Sequence, residues 1–287
     1  MTKIDINDGC IILPKTMKTK SLKVKLPQNY ESKNIRKITI RPMYGYTHWQ
    51  MIIEYIVNPK KHANLVSDNA LGIDFGLSNL ATCATNKGDS FIIDGKYLKS
   101  ILQGYCKYRN KLLQANGGQR NTKRIISLHK KTQNRVNDYV RRSVNYIIRY
   151  CIENNIGLVV IGWSNCFNEF GLAYNAQLLT MFPFASFKKL LKSKCDEHGI
   201  LFRIVNECYT SQASFIDNDP MPKSLTKCKQ QFSGKRKSRG MYITKDGRKI
   251  NADVNGAFNI LRKYNAKIMF DYGARGLTYP KRINPIK

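Results

Sequence analysis

The sequence predicts an α/β fold in which an antiparallel meander feeds a parallel section, preceded by a small β-rich segment. Three observations carry this. Residues 1–58 alternate apolar with polar or basic residues at period two; a glycine-bounded apolar run, GLVVIGW (157–163), has the composition of a strand buried on both faces; and helical periodicity separates the later strands. In the first segment, IILP, SLKVKL, IRKITIRPM and YTHWQMIIEYIV read as strands, with turns at Pro27–Asn29 and Gly45, giving a small sheet or barrel. NPKKHANLVSD (59–69) is polar and reads as a linker.

The core is expected over 70–263. LGIDFGLSNLATCAT (71–85) and SFIID (90–94) supply three short strands around a Gly-containing turn. Residues 96–152 change period: Val136, Val140, Val144, Ile147 and Cys151 share one helical face, and NGGQRN (116–121) divides the region into a helical hairpin. GLVVIGW follows, then a helix opened by Pro183, with Phe187, Leu190, Leu191 and Cys195 inward, and closed by Gly199. LFRIVNE (201–207) is a further strand, 209–250 a turn-rich basic insertion, 250–263 a last helix, and 264–287 an irregular basic tail. Strands, helices, strand, helix, strand, insertion, helix is the order of an RNase H-like fold.

Charge narrows the function. The 287 residues carry 49 Lys/Arg against 19 Asp/Glu, a formal net charge of +30. So lopsided a balance implies a polyanionic partner, and without a long apolar run or amphipathic anchor that partner is nucleic acid and not a membrane. The excess is concentrated: fourteen Lys/Arg face one acid, Asp138, between Lys96 and Tyr150, and ten face Asp246 between Pro220 and Ile250. MTKIDINDGC lacks a signal-peptide core, so the expected location is cytoplasmic, nucleoid-associated in a bacterium, and not secreted. The eight cysteines form no CxxC pair, which argues against a disulfide framework and a compact zinc site.

Two acids stand out against this basic background. Asp74, in GIDFG, interrupts an apolar strand, where an unpaired carboxylate is expensive to bury. Asp253, in INADVNGAFNIL (250–261), leads a helix whose Ala257, Ile260 and Leu261 form an apolar face. Capping explains an acid in a first turn. A divalent cation at the strand ends explains both acids at once. Phosphodiester cleavage uses two Mg²⁺ ions about 3.5–4 Å apart, held by carboxylates from separate segments. Gly256 would let the helix approach the sheet closely.

GIDFGLSNLAT, the basic hairpin, VVIGW, NECYTS and INADVNGAFNIL, in that order, resemble the RuvC nuclease core of the TnpB (OrfB) family of transposon-encoded RNA-guided nucleases, relatives of type V CRISPR nucleases and Fanzor. The resemblance runs from about residue 9 to 263. It implies a Mg²⁺-dependent DNA endonuclease, with Mn²⁺ able to substitute, guided by a transposon-end RNA to a DNA target. Asp74 and Asp253 fall on the first and third catalytic acids. Gly162 stands where most members carry the second, and Glu207, before Thr210–Ser211, is the expected relocated ligand, with Glu169 a weaker candidate. Ser214 and Asp217 stand where the family's zinc ribbon begins, and no structural zinc is expected.

Nucleic-acid contacts are expected from Lys123, Arg124, Lys130, Lys131, Arg135, Arg141 and Arg142 on the hairpin, and from Lys235, Arg236, Lys237 and Arg239 in the insertion. Tyr209, Phe215 and Tyr242 offer rings either for base stacking or for core packing. The β-rich start resembles the later part of the family's wedge-like barrel, so the chain begins in the middle of the family's pattern. A second reading stays open: a truncated or catalytically inactive relative that binds RNA or DNA without cutting it.

Overall fold

The computed structural model describes all residues except 1–4, 8–9, 14–21, 27, 29–33, 44–47, 61, 121, 164–175, 223–229, 239, 267, 272–273 and 287. The chain divides into two compact units, Met1–Asn58 and Pro59–Lys287.

The first unit is all β among its described residues. β1 (Asp5–Asn7), β2 (Cys10–Leu13) and β3 (Leu22–Lys25) form one antiparallel sheet. β4 (Asn34–Met43) and β5 (His48–Ile56) form a second, two-stranded one. The β-rich expectation holds. Closure into a single hydrogen-bonded barrel does not appear among the described residues.

The second unit is built on a six-stranded mixed sheet. β6 (Val66–Phe75), β7 (Asn79–Thr85) and β8 (Ser90–Asp94) form the antiparallel meander, and β9 (Ile156–Trp163) and β10 (Leu201–Asn206) run parallel to β6 on its other side. The spatial order is β10-β9-β6-β7-β8, with β14 (Lys281–Ile283) beyond β8. Between the strands lie α1 (Lys96–Ala115), α2 (Lys123–Glu153), α3 (Ala176–Met181) and α4 (Phe184–His198), and after the insertion α5 (Ala252–Tyr264). Thr122 caps α2, and Gly199, at φ 71°, ends α4 in the left-handed conformation.

Period-two alternation assigns the faces of β6. Leu71, Ile73 and Phe75 pack into a core shared with α1, α2 and α4, where Val136, Val140, Val144, Ile147 and Cys151 are all buried as the helical spacing predicts. Ala70 instead packs with Leu158, Val160 and the α5 residues Ile260 and Leu261. Gly72 and Asp74 belong to this second face. The sheet is therefore covered by helices on one side and by α5 and the insertion on the other.

Three sequence expectations are corrected. β6 begins at Val66, within the stretch 59–69 read as linker. The insertion is not only turns: β11 (Lys235–Arg236), β12 (Met241–Ile243) and β13 (Lys249–Asn251) form a small antiparallel sheet. The tail is not irregular throughout: it contains α6 (Ala274–Thr278) and β14 (Lys281–Ile283), which pairs parallel to β8. Among the described residues no helix is long and apolar enough to cross a membrane.

Candidate active site

The sheet end near the last residues of β6, β9 and β10 gathers the three acids. Asp74, next to last in β6, points to the α5 face. An ideal Cβ at Gly256 of α5 would lie 2.9 Å from Asp74 Oδ2, so the helix rests against this carboxylate because residue 256 has no side chain. At Gly72 the approach is closer still: a Cβ would lie 2.3 Å from the Ala257 carbonyl oxygen. The tight helix-to-sheet contact thus depends on a glycine from each element.

Asp253 occupies the first turn of α5 and is half-buried. Capping is done by its neighbour. Asn251 Oδ1 accepts from the backbone N–H groups of Asp253 (3.0 Å) and Val254 (3.1 Å). The Asp253 carboxylate is left for tertiary contacts. Arg236 Nη2 donates to its Oδ1 at 2.8 Å, and Asn79 Nδ2 donates to its Oδ2 at 2.6 Å. Arg236 comes from β11 and Asn79 from the start of β7.

Glu207 follows β10 directly. The register places Val205 beside Gly162 and Asn206 beside Trp163. A Cβ at Gly162 would lie 3.3 Å from Glu207 Cβ and 2.6 Å from Ile260 Cδ1. The space a side chain at 162 would need is therefore taken by α5 and by Glu207 itself. The Glu207 carbonyl accepts from Thr210 Oγ1 (2.7 Å) and Thr210 N (3.1 Å), which fixes the turn after the strand.

Electrostatics ties the acids together. Burial pushes the Asp74 carboxyl well above its ordinary range, and the charges of Glu207 and Asp253 push it further, against a smaller opposing pull from Arg236. Burial raises Glu207 to about 7. Among the described residues, no three His, Cys, Asp or Glu side chains stand as a ready-made metal cage. Asp74 lies in the field of Glu207 and Asp253, while Arg236 engages Asp253. The donor set is hard carboxylate oxygen, which fits Mg²⁺ or Mn²⁺.

The other predicted residues separate into groups. Lys123, Arg124, Lys130, Lys131, Arg135, Arg141 and Arg142 are all exposed along α2. Arg142 pairs with Asp138 at 2.9 Å, and Arg135 donates to the Tyr97 hydroxyl at 3.2 Å. Lys235 and Lys237 are exposed with Arg236, whereas Arg239 and Glu169 lie outside the described residues. Phe215 and Tyr242 are buried in the core, Phe215 stacked on Phe258, so base stacking is withdrawn for both. Ser214 Oγ donates to Asp217 Oδ2 at 2.6 Å, and Lys245 N donates to the same oxygen at 2.9 Å. These polar bonds join the two loops of the insertion.

Two residues at the site escaped the sequence reading. Arg236 was assigned to nucleic acid alone, and Asn79 was not singled out. The partner of Asn79 lies 174 residues away. No local spacing could reveal that pairing.

Known proteins share segments and the fold of this chain. Residues 53–164 match the family model OrfB_IS605, described as a probable transposase, and residues 184–260 match the Cas12f1-like TNB domain. A CRISPR-associated endodeoxyribonuclease Cas12f1 from Syntrophomonas palmitatica is 24% identical over 255 residues, covering 78% of this chain and 50% of that protein. A cryo-EM structure of a Cas12f1–sgRNA–target DNA complex shares the fold, with a TM-score of 0.52 and 22% identity over 84% of this chain and 57% of that one. A CRISPR–Cas12f ternary complex gives a TM-score of 0.51 and 22% identity over 74% of this chain and 42% of that one. The chain thus spans about half the length of the curated relative it matches. The chain carries an OrfB_IS605 probable-transposase segment followed by a Cas12f1-like TNB segment.

Proposed function

We propose that this chain is the RuvC-like nuclease portion of an RNA-guided DNA endonuclease, with Asp74, Glu207 and Asp253 as its metal-binding catalytic acids. The observation that carries the reading is Asp74, buried in β6 within the field of Glu207 and Asp253. The charges of those two acids raise its proton affinity beyond the effect of burial, and a divalent cation would relieve that repulsion. Bound Mg²⁺ would stabilise charge on the attacking and leaving oxygens of the phosphodiester.

The residues around the acids have definite roles in this proposal. Asp74, backed by Gly256, is the fixed member on the sheet. Glu207 takes the part of the acid that Gly162 cannot supply, from the adjacent strand. Asp253 is held at both oxygens, and Arg236 is its resident counter-ion, which must release or share Oδ1 when a cation binds. The exposed cations of α2 bind phosphates of a guide–target duplex. Guide RNA and target DNA are the partners inferred by likeness to the Cas12f1 complexes.

One observation favours the alternative of a protein that binds without cutting: the Arg236–Asp253 ion pair already neutralises one acid. The two readings separate experimentally. The protein is expressed with its own flanking DNA, its co-purified RNA is sequenced, and DNA matching the guide is incubated with Mg²⁺ or Mn²⁺. Asp74→Ala, Glu207→Ala and Asp253→Ala are each expected to lower cleavage by more than about 100-fold, the scale of a lost metal ligand, while binding persists. A Glu207→Ala protein that cuts as fast as the parent removes Glu207 from the site. A parent that binds but never cuts establishes the alternative.

A further inference from the structure

Asp253 is oriented from outside its own helix. Asn79 Nδ2 donates to its Oδ2 at 2.6 Å, and Asn79 Oδ1 in turn accepts from Arg282 Nη1 at 3.3 Å. An asparagine amide has one donor end and one acceptor end. Arginine only donates and an ionised carboxylate only accepts, so the two partners together permit one orientation of the amide. Arg282 belongs to β14, whose register sets it beside Ile92 of β8, while β7 pairs with the far side of β8 and sets Asn79 opposite Asp94. The sheet edge, the meander and α5 thus meet in one chain of contacts, Arg282 to Asn79 to Asp253.

We infer that Asn79 is a positioning residue for Asp253 and that β14, through Arg282, belongs to the same device. The inference rests on Asp253 being a metal ligand, as proposed above. Four features of the geometry support it. The Asn79–Asp253 contact is the shorter of the two side-chain bonds to Asp253. It engages the oxygen that Arg236 does not, so Asp253 can turn only if both partners move. Asn79 is half-buried and pairs opposite Asp94 of β8, which ties the donor to the sheet. The β7–β8 register shifts between Asn79 and Ala81, an irregularity located at this residue.

The test is Mn²⁺ affinity of the full chain, read by electron paramagnetic resonance of free Mn²⁺, alongside binding of a labelled DNA duplex and guided cleavage. Outer groups that orient metal ligands typically change affinity or activity about 10–100-fold, and Asn79→Ala is expected to weaken Mn²⁺ binding within that range. Asn79→Ser, which keeps a hydroxyl donor, should recover part of the loss. Arg282→Met should weaken Mn²⁺ binding in the same direction by a smaller factor. Duplex binding should stay within about twofold for the Asn79 variants, a change near 0.4 kcal/mol. If Asp253→Ala loses Mn²⁺ and Asn79→Ala binds it as the parent does, the positioning role is overturned. If Arg282→Met alone is silent, β14 has no part in it. If Asp253→Ala itself binds Mn²⁺ like the parent, the assignment of the metal site fails, and that outcome is distinct from the other two.

Discussion

Glu207 combines burial with a position at the strand end, and its charge state decides how the site behaves without metal. Its carboxyl rises from an ordinary value near 4.5 to about 7 because burial disfavours the anion. The sign follows from linkage. Between those two values the folded protein holds a proton that the unfolded chain has lost, so stability falls as pH rises through this window. Asp74 is raised in the same direction, by burial and by repulsion from Glu207 and Asp253, and adds to the trend. The metal-free protein should therefore lose thermal stability from about pH 5 to pH 8. Mn²⁺ should restore more of it at pH 8, where Glu207, raised to about 7, is ionised. Glu207→Gln should flatten the profile and reduce the Mn²⁺ effect, as read by scanning calorimetry at fixed ionic strength. An unchanged slope in Glu207→Gln would locate the effect elsewhere.

At the scale of elements, the seat of α5 on the sheet depends on two glycines with different duties. Gly72→Ala would drive a methyl group into the backbone oxygen of Ala257, and backbone cannot step aside. We expect it to destabilise the fold by about 3 kcal/mol or more, at the upper end for overpacking. Gly256→Ala would meet only the Asp74 carboxylate, a side chain that can turn. It should melt close to the parent yet bind Mn²⁺ more weakly. Chemical denaturation paired with metal titration separates the two. Much of this element was legible beforehand. The Ala257, Ile260 and Leu261 spacing gave its buried face, and the paired acids gave its direction toward the strand ends. The cap is Asn251, whose Oδ1 accepts from the N–H groups of Asp253 and Val254, and Asp253 sits in the first turn. The short strands β11 to β14 were not legible. Runs of two or three residues carry no period, and β14 is defined only by a partner strand some 190 positions earlier. The Arg236–Asp253 pair was not legible either: the charge was visible in KRKSR, while its partner is set by tertiary structure.

At the scale of the whole molecule, charge and fold act on different partners. The acids are drawn to one sheet end, and the exposed cations lie along α2, a helix of 31 residues, about 46 Å at 1.5 Å per residue. That length spans more than a full turn of a nucleic-acid duplex. Its exposed cations lie along the helix while its apolar stripe is buried, and the partner proposed for that face is a phosphate backbone. Such contacts should carry little sequence preference and strong salt dependence. The logarithm of the binding constant should fall linearly with the logarithm of salt concentration. Each α2 residue that meets a duplex phosphate contributes a slope of about 0.9, and on a single strand about 0.7. Replacing Lys123, Arg124, Lys130 and Lys131 together by Gln should reduce the duplex slope by about 3 to 4 if all four make contacts. All four side chains are exposed, so the fold should tolerate the change. The slope is measured by fluorescence anisotropy with guide-bound protein across a salt series. A control replacing Arg142 is informative because Asp138 already pairs with it at 2.9 Å, and its removal should lower the slope less than the loss of an unpaired lysine. A slope that stays at the parent value in the quadruple variant would move the duplex off the first half of α2, to other basic surfaces such as the insertion.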